Sequence, residues 1–333
     1  MNKTVLIADN WFKSRRHYLI DEISSRSNLN VIEVFNFDKN RKFTVIERIF
    51  YKLRLPLDLT KFNRRLVSIV EKNKIDYVIV IKGNYVKPNT LKKIKKISNC
   101  KLYSWSNDNM SKKHNSSLYY VNGLKFYDIN FTVNGYQIET LKRLGAGRFV
   151  YFDKAFSKND HFPEKLNQKF AFDVLFIGSA EKDRYEMMKY LSENGIRVNV
   201  FGNMWTNSGF KSNPNLKIHR HSLEGKNYRE AISSSKITLC FLRKINDDLQ
   251  TSRSFEIPAC RGFMLAERTS EHTRIFKEDR EAVFFSNKEE LLEKTIYYLK
   301  NEKKRENIRD NGYNMILNSK YKFKYIVDLI FNS

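Results

Sequence analysis

The stretch "FDVLFIGSAEKDRYEMMKYLSENGIRVNVFG" (172–202) decides how this chain folds. An apolar run over 172–178 ends on Gly178 and Ser179, a segment of helical period over 181–194 stops at Gly195, and a second apolar run over 197–202 ends on Gly202. Two short runs of Val, Ile and Phe separated by one helix form a strand–helix–strand unit, and the helix carries the chain back so that the strands lie parallel. Strands that read as continuous apolar runs are covered on both faces, which is the doubly wound α/β arrangement.

The alternation extends in both directions. Upstream, strands are expected at 4–9, 30–37, 76–83, 101–108, 129–134 and 148–153, with helices over 13–26, 60–74, 88–98 and 136–144. The polar stretch 153–170, with Pro163, interrupts the pattern. Downstream come a helix over 226–234, a strand over 236–242, apolar runs at 262–267 and 282–287, and helices over 288–301 and 302–317. The last segment, 320–331, reads as a closing helix, with a strand as the alternative. The expected organisation is a Rossmann-like domain over 1–155, a linker over 156–170, a second Rossmann-like domain over 171–317 and a closing segment over 318–333. Open parallel sheets bind ligands at the carboxyl ends of their strands, so the expected site is a cleft between two such domains.

The formal net charge of +24 is unevenly placed: residues 1–170 hold 33 Lys and Arg against 15 Asp and Glu, and residues 171–333 hold 28 against 22. Such a field suits nucleic acid, an anionic membrane or a phosphorylated substrate, and a Lys-, Asn- and Ile-rich background composition accounts for it equally well. No nucleic-acid-binding motif is present, so nucleic acid is not an expected partner. No window reaches 18 apolar residues and the N-terminal run is too short for a signal peptide, so the expectation is a cytoplasmic chain, at most peripheral on the inner face of the plasma membrane. Residues 41–72 interleave Arg and Lys with Phe43, Ile46, Ile49, Phe50, Leu53 and Leu55. A helix there, ended by Pro56, has an apolar face flanked by cations. It suits an anionic membrane or a lipid-linked acceptor, and equally a core-facing position. Cys100, Cys240 and Cys260 lie far apart without metal-ligand spacing and read as reduced core residues.

"FIGSAEKDRYEMMKYL", "VFGNMW" and "SFEIPACRGFMLAERTSEHTRIFKEDREAVFF" together resemble the C-terminal domain of CgeB-like proteins, glycosyltransferases of group 1 with the GT-B fold. The resemblance spans 172–317, is densest over 251–313 and is only generic in the N-terminal half. It implies transfer from a nucleotide-sugar donor held by the second domain to a glycan or lipid-linked acceptor held by the first. In relatives two acids spaced E-x7-E lie beside the donor, the second on the ribose hydroxyls. Here the spacing falls on Asp248 and Glu256, with Asp in place of the first Glu, which leaves the role of Asp248 open. The physical argument supports Glu256 on its own. A carboxylate in the apolar run of 255–266 is costly unless paired, and two ribose hydroxyls are donors that it can accept. A salt bridge to Arg253 or Arg261 is the alternative.

Around that acid, Thr251 and Ser252 are candidate caps of a helix whose N–H groups would face the diphosphate, with Arg253 adding charge. Gly178 and Ser179, followed by Arg184, form a second anion candidate at a strand–helix junction. Gly202 repeats that geometry, and Trp205 is a candidate to stack on the base or, equally, a packing aromatic. Glu267 and Arg268 are candidates for the donor sugar, with ordinary surface charge as the alternative. In the first domain Asp108 is the leading candidate for a general base, with His114 nearby. Asn10, Arg15 and Arg16 are candidate acceptor contacts, helix capping being the duller account of Asn10. No cofactor and no metal are expected, since helix dipole and basic side chains serve the diphosphate. The rival readings are a nucleotide-sugar epimerase or a degenerate binder on the same fold and, further off, a nucleic-acid-binding protein.

Overall fold

The computed structural model describes residues 2–9, 18–37, 41–205 and 209–333. The chain divides into two compact units. Unit 1 comprises Met1–Asp153 with Lys244–Asp248 and Ile326–Ser333, and unit 2 comprises Lys154–Arg243 with Leu249–Tyr325.

Unit 1 carries β1 (Lys3–Asp9), β2 (Leu29–Phe35), β3 (Tyr77–Ile81), β4 (Lys101–Ser106), β5 (Ile129–Thr132) and β6 (Arg148–Tyr151), in the spatial order β2-β1-β3-β4-β5-β6. Every pairing is parallel; Val5 stands opposite Val31 on one side and Tyr77 on the other. All five residues of β3 are buried, because helices cover both faces of the sheet. Phe62, Leu66 and Val70 of the helix Phe62–Lys72 and Leu91 and Ile94 of the helix Pro88–Ile97 join Val78, Val80 and Leu102 in one core. The C-terminal segment is the helix Phe323–Phe331, whose Asp328 pairs with Arg26 and whose Phe331 meets the ring edge of Tyr77.

Unit 2 carries β7 (Val174–Ile177), β8 (Val198–Phe201), β9 (Leu216–His219), β10 (Ile237–Cys240), β11 (Met264–Glu267) and β12 (Val283–Phe285), again all parallel, in the order β12-β11-β10-β7-β8-β9. The order reverses between β7 and β10, so the crevice beyond their carboxyl ends is where a doubly wound sheet takes its ligand. The two strands of the decisive stretch are β7 and β8, joined by the helix Lys182–Glu193. Gly202 ends β8 at φ +151, and a Cβ there would lie 1.9 Å from the Gly178 carbonyl oxygen, so only glycine lets the two strand ends approach. β9 was not among the expected strands. Only Leu216 of its four residues is buried, so this polar edge strand leaves no apolar run to read.

Both sheets are parallel and doubly wound, as the alternation of apolar runs and helical periods implied. All three cysteines are buried and free. Among the described residues no helix is long and apolar enough to cross a membrane, and no group of three or more His, Cys, Asp or Glu could hold a metal ion.

Candidate functional site

In unit 2 the segment "TSRSFEIPAC" forms the helix Arg253–Ala259, with Pro258 in its last turn. Glu256 is 8% exposed. Its Oε2 accepts from the Tyr228 hydroxyl at 2.6 Å, and its Oε1 lies 3.8 Å from His161 Nε2. His161 Nδ1 accepts from the Ser157 N–H, which leaves Nε2 as the ring nitrogen nearer the carboxylate, too far for a direct hydrogen bond. The hydrogen-bonded partner of the buried acid is thus the Tyr228 hydroxyl. Arg261 pairs instead with Asp310, and the Arg253 Nε donates to the Ile177 carbonyl at the end of β7. Burial and the neighbouring Glu256 push the Tyr228 hydroxyl well above its ordinary pKa, so it stays a donor at neutral pH.

Basic groups gather at the reversal point between β7 and β10. Arg184 is buried; its guanidinium donates to the Ser179 carbonyl at 3.0 Å and to the Leu242 carbonyl at 2.8 Å, tying the two strand ends together. Burial, together with the charges of Arg253 and Arg243, lowers its pKa, while Glu181 and Glu267 oppose that shift. Arg243 is half-exposed and 3.4 Å from Glu181. The Leu242 N–H is held by Glu267 Oε2 at 2.6 Å. Three arginines, Arg184, Arg243 and Arg253, and two acids, Glu181 and Glu267, thus stand together at the carboxyl ends of two parallel strands.

Several candidates stand elsewhere than expected. Trp205 is fully buried, donates its indole N–H to the Gly178 carbonyl at 2.8 Å and packs edge-on against Phe176 and Phe210. It is the packing aromatic of the two readings, with no face open to a base. Ser252 occupies the N-cap position but makes no capping bond through its side chain, and the Thr251 N–H donates to Ser254 Oγ. Arg268 belongs to a charge network with Glu278, Glu290 and Lys294, which is the ordinary ion-pair account. Ser254 is itself buried and bonded to His272 Nε2 at 2.7 Å, while His272 Nδ1 is 2.6 Å from the Glu267 carbonyl; burial lowers the His272 pKa and keeps the ring neutral.

In unit 1 Asp108 follows β4. Its Oδ2 is 2.5 Å from Lys82 Nζ, and its Oδ1 lies 3.4 Å from the amide nitrogen of Asn246. The same Asn246 amide donates to Asp248 Oδ1 at 2.8 Å, so one side chain joins two of the three catalytic candidates. Asn246 is held in turn by the Asn109 N–H and by the amide of Asn134 on its carbonyl. Asp247, in the left-handed region at φ +51, pairs with Lys112. His114 is exposed in the turn that follows. Asp248 belongs to unit 1 and Glu256 to unit 2. Asn10, Arg15 and Arg16 lie outside the described residues.

The sequence reading does not anticipate Tyr228, His161, Arg243, Lys82 or Asn246. Lys82 carries one signal: it precedes Gly83 directly after β3, at the point in unit 1 where strand order reverses between β1 and β3. Lys82 and Gly83 take φ +59 and +60, a costly conformation for a lysine.

Comparison with known proteins bears on the fold. The model of a family described as glycosyl transferase-like matches residues 184–332. No curated protein sequence matches the chain significantly. The whole chain is similar in fold to several solved structures. Anabaena Alr3699/HepE in complex with UDP and glucose superposes with a TM-score of 0.70 at 10% identity, covering 99% of both chains. Sucrose-phosphate synthase from Thermosynechococcus elongatus gives 0.69 at 9% identity, covering 99% of this chain and 98% of that one. A glycosyltransferase from Rickettsia africae gives 0.67 at 10% identity, covering 99% and 97%. The chain therefore has the GT-B fold, and its residues 184–332 are similar to the glycosyl transferase-like family model.

Proposed function

We propose that the protein is a glycosyltransferase that moves a sugar from a nucleotide diphosphate donor to an acceptor hydroxyl in the synthesis of a bacterial surface glycan, as a CgeB-like enzyme. The observation that carries this reading is the buried Glu256, whose one hydrogen-bond donor among the described residues, the neutral Tyr228 hydroxyl, leaves the carboxylate able to accept further donors. Two ribose hydroxyls are such donors. Arg253 and Arg243 at the strand ends suit the diphosphate. The crystallised complexes of the similar HepE with UDP, and with UDP and glucose, support a uridine nucleotide as the first to try.

Asp108 is the candidate base. The acceptor hydroxyl gives its proton to Asp108, its oxygen attacks the anomeric carbon, and the bond to the diphosphate breaks with the electron pair leaving on the nucleotide. Arginines and backbone N–H groups stabilise that leaving charge, so the proposed chemistry needs neither metal nor cofactor. Peripheral contact with an anionic membrane is part of the same reading. The test is release of nucleotide diphosphate from a panel of nucleotide sugars with and without acceptor. Acceptor-dependent release supports transfer, whereas epimerised or free sugar without an acceptor-dependent product refutes it.

A further inference from the structure

The helix Val45–Lys52 is turned inside out relative to an ordinary core helix. Its one buried residue is Glu47, held by Arg41 and by a capping box with Thr44. Its apolar side chains face outward: Val45 is 71% exposed, Ile46 61% and Ile49 50%, and Leu53, just beyond its end, 59%. At 100° per residue, positions 45, 46, 49, 50 and 53 share one face, with Arg48 and Lys52 at its edge. From 41 to 54 the chain has Arg41, Lys42, Arg48, Lys52 and Arg54 against the single acid Glu47. An outward apolar face rimmed by cations complements an anionic bilayer surface.

Beside this helix lies a cavity of about 390 Å³ within unit 1. Phe37, Phe43, Tyr51 and Tyr85 line it, the rings of Phe43 and Tyr85 both standing edge-on to Phe37 at about 5 Å. Lys82 and Asn84 line it too, so it opens at the carboxyl end of β3, where a doubly wound sheet binds ligands. Lys82 links it to chemistry, since the same ammonium sits on the candidate base Asp108. Lys82 stands at φ +59, a costly conformation for a lysine that persists only where the surrounding structure holds it.

We propose that this cavity is the acceptor subsite and that the acceptor is a glycolipid. Its hydrocarbon portion enters from the bilayer side past Tyr51 and fills the aromatic cavity, and its hydroxyl-bearing head lies toward Lys82 and Asp108. The assignment rests on the transferase reading above, and names the acceptor class for it.

The test uses the full chain with octyl β-D-glucoside below its micelle concentration, methyl β-D-glucoside, and vesicles with and without phosphatidylglycerol. Octyl glucoside should bind about tenfold or more tightly than methyl glucoside, because each buried methylene adds to affinity. Tyr51→Ser should remove that difference, and Tyr51→Phe should keep it; Tyr51 is 45% exposed, so both variants should fold. Ile46→Ser with Ile49→Ser should abolish sedimentation with the anionic vesicles. Equal binding of the two glucosides, or a chain-length effect that survives Tyr51→Ser, overturns the proposal, as does wild-type protein that ignores anionic vesicles. Binding of UDP, GDP, CDP, ADP and TDP is measured in parallel. If one of them binds while the glucosides behave alike, this inference alone fails; if none binds while the chain-length effect holds, the transferase reading fails and the cavity assignment stands as a glycolipid site.

Discussion

Glu256→Gln separates a ribose-binding acid from a structural one. In the folded protein Tyr228 donates to Glu256 Oε2 at 2.6 Å, and a glutamine carbonyl oxygen can take the same bond, so the fold should survive with a melting temperature within about 3 °C of wild type. The loss should fall on the nucleotide. Hydrogen bonds to a charged acceptor exceed neutral ones by roughly 1–1.5 kcal/mol each, so two ribose hydroxyls lose about 2–3 kcal/mol, or roughly 30- to 150-fold in Kd. The assay is titration calorimetry of a ribonucleoside diphosphate and its 2′-deoxy analogue against both proteins. If the carboxylate and the 2′-hydroxyl are partners, the deoxy penalty seen in wild type should shrink by about 1–1.5 kcal/mol in Glu256→Gln. Full additivity of the two losses, or an unchanged Kd, refutes the assignment of Glu256 to the ribose.

Three further outcomes follow from other parts of the molecule. Asp108→Asn should lower kcat by about 10²–10⁴ with the donor Kd unchanged, since a general base acts on the acceptor; equal activity in a steady-state assay would remove it from the mechanism. Gly202→Ala should cost at least about 3 kcal/mol of stability by thermal unfolding, because its Cβ would lie 1.9 Å from the Gly178 carbonyl at φ +151. Glu290 is expected to govern part of the acid stability. Burial alone would raise its carboxyl, but Lys294, the Ser286 N–H and Arg268 outweigh that and hold it at about 2 against an ordinary 4.5. A depressed carboxylate stabilises the fold above the unfolded pKa, and that contribution is lost as pH falls from 4.5 towards 2. Denaturant unfolding of Glu290→Gln should show a shallower decline across that window than wild type.

The parallel sheets were legible because their strands are apolar on both faces: β3 and β7 are buried at every residue, and such runs, short and rich in β-branched and aromatic residues between helical periods, read as strands. β9 was not legible, since an edge strand with one buried side chain has no such signature. Single residues followed the same division. Glu256 stands out as an acid in an apolar run, whereas its partners come from distant segments. Tyr228 lies 28 residues away on the helix Gly225–Ser234, and His161 sits in the polar stretch after unit 1. Tertiary contact alone unites them. Trp205 marks the limit of residue type as a guide, because an aromatic after a glycine turn serves a core or a ligand equally well until its burial is known. The helix Val45–Lys52 carries a similar ambiguity between a core face and a binding face. Its apolar stripe fits a core face, yet the face is exposed because Glu47, not an isoleucine, is the residue anchored inward.

The central claim is that unit 2 binds a nucleotide diphosphate sugar. The most direct measurement is the melting temperature of the protein with UDP, GDP, CDP, ADP and TDP and their common sugar conjugates. A ligand that binds only the folded state at 100 times its Kd stabilises it by about 2.7 kcal/mol, a rise of several degrees for a domain of this size. The account predicts that rise for one nucleotide base, with the diphosphate exceeding its monophosphate and with the gain diminished in Glu256→Gln. No rise with any nucleotide at millimolar concentration would contradict it.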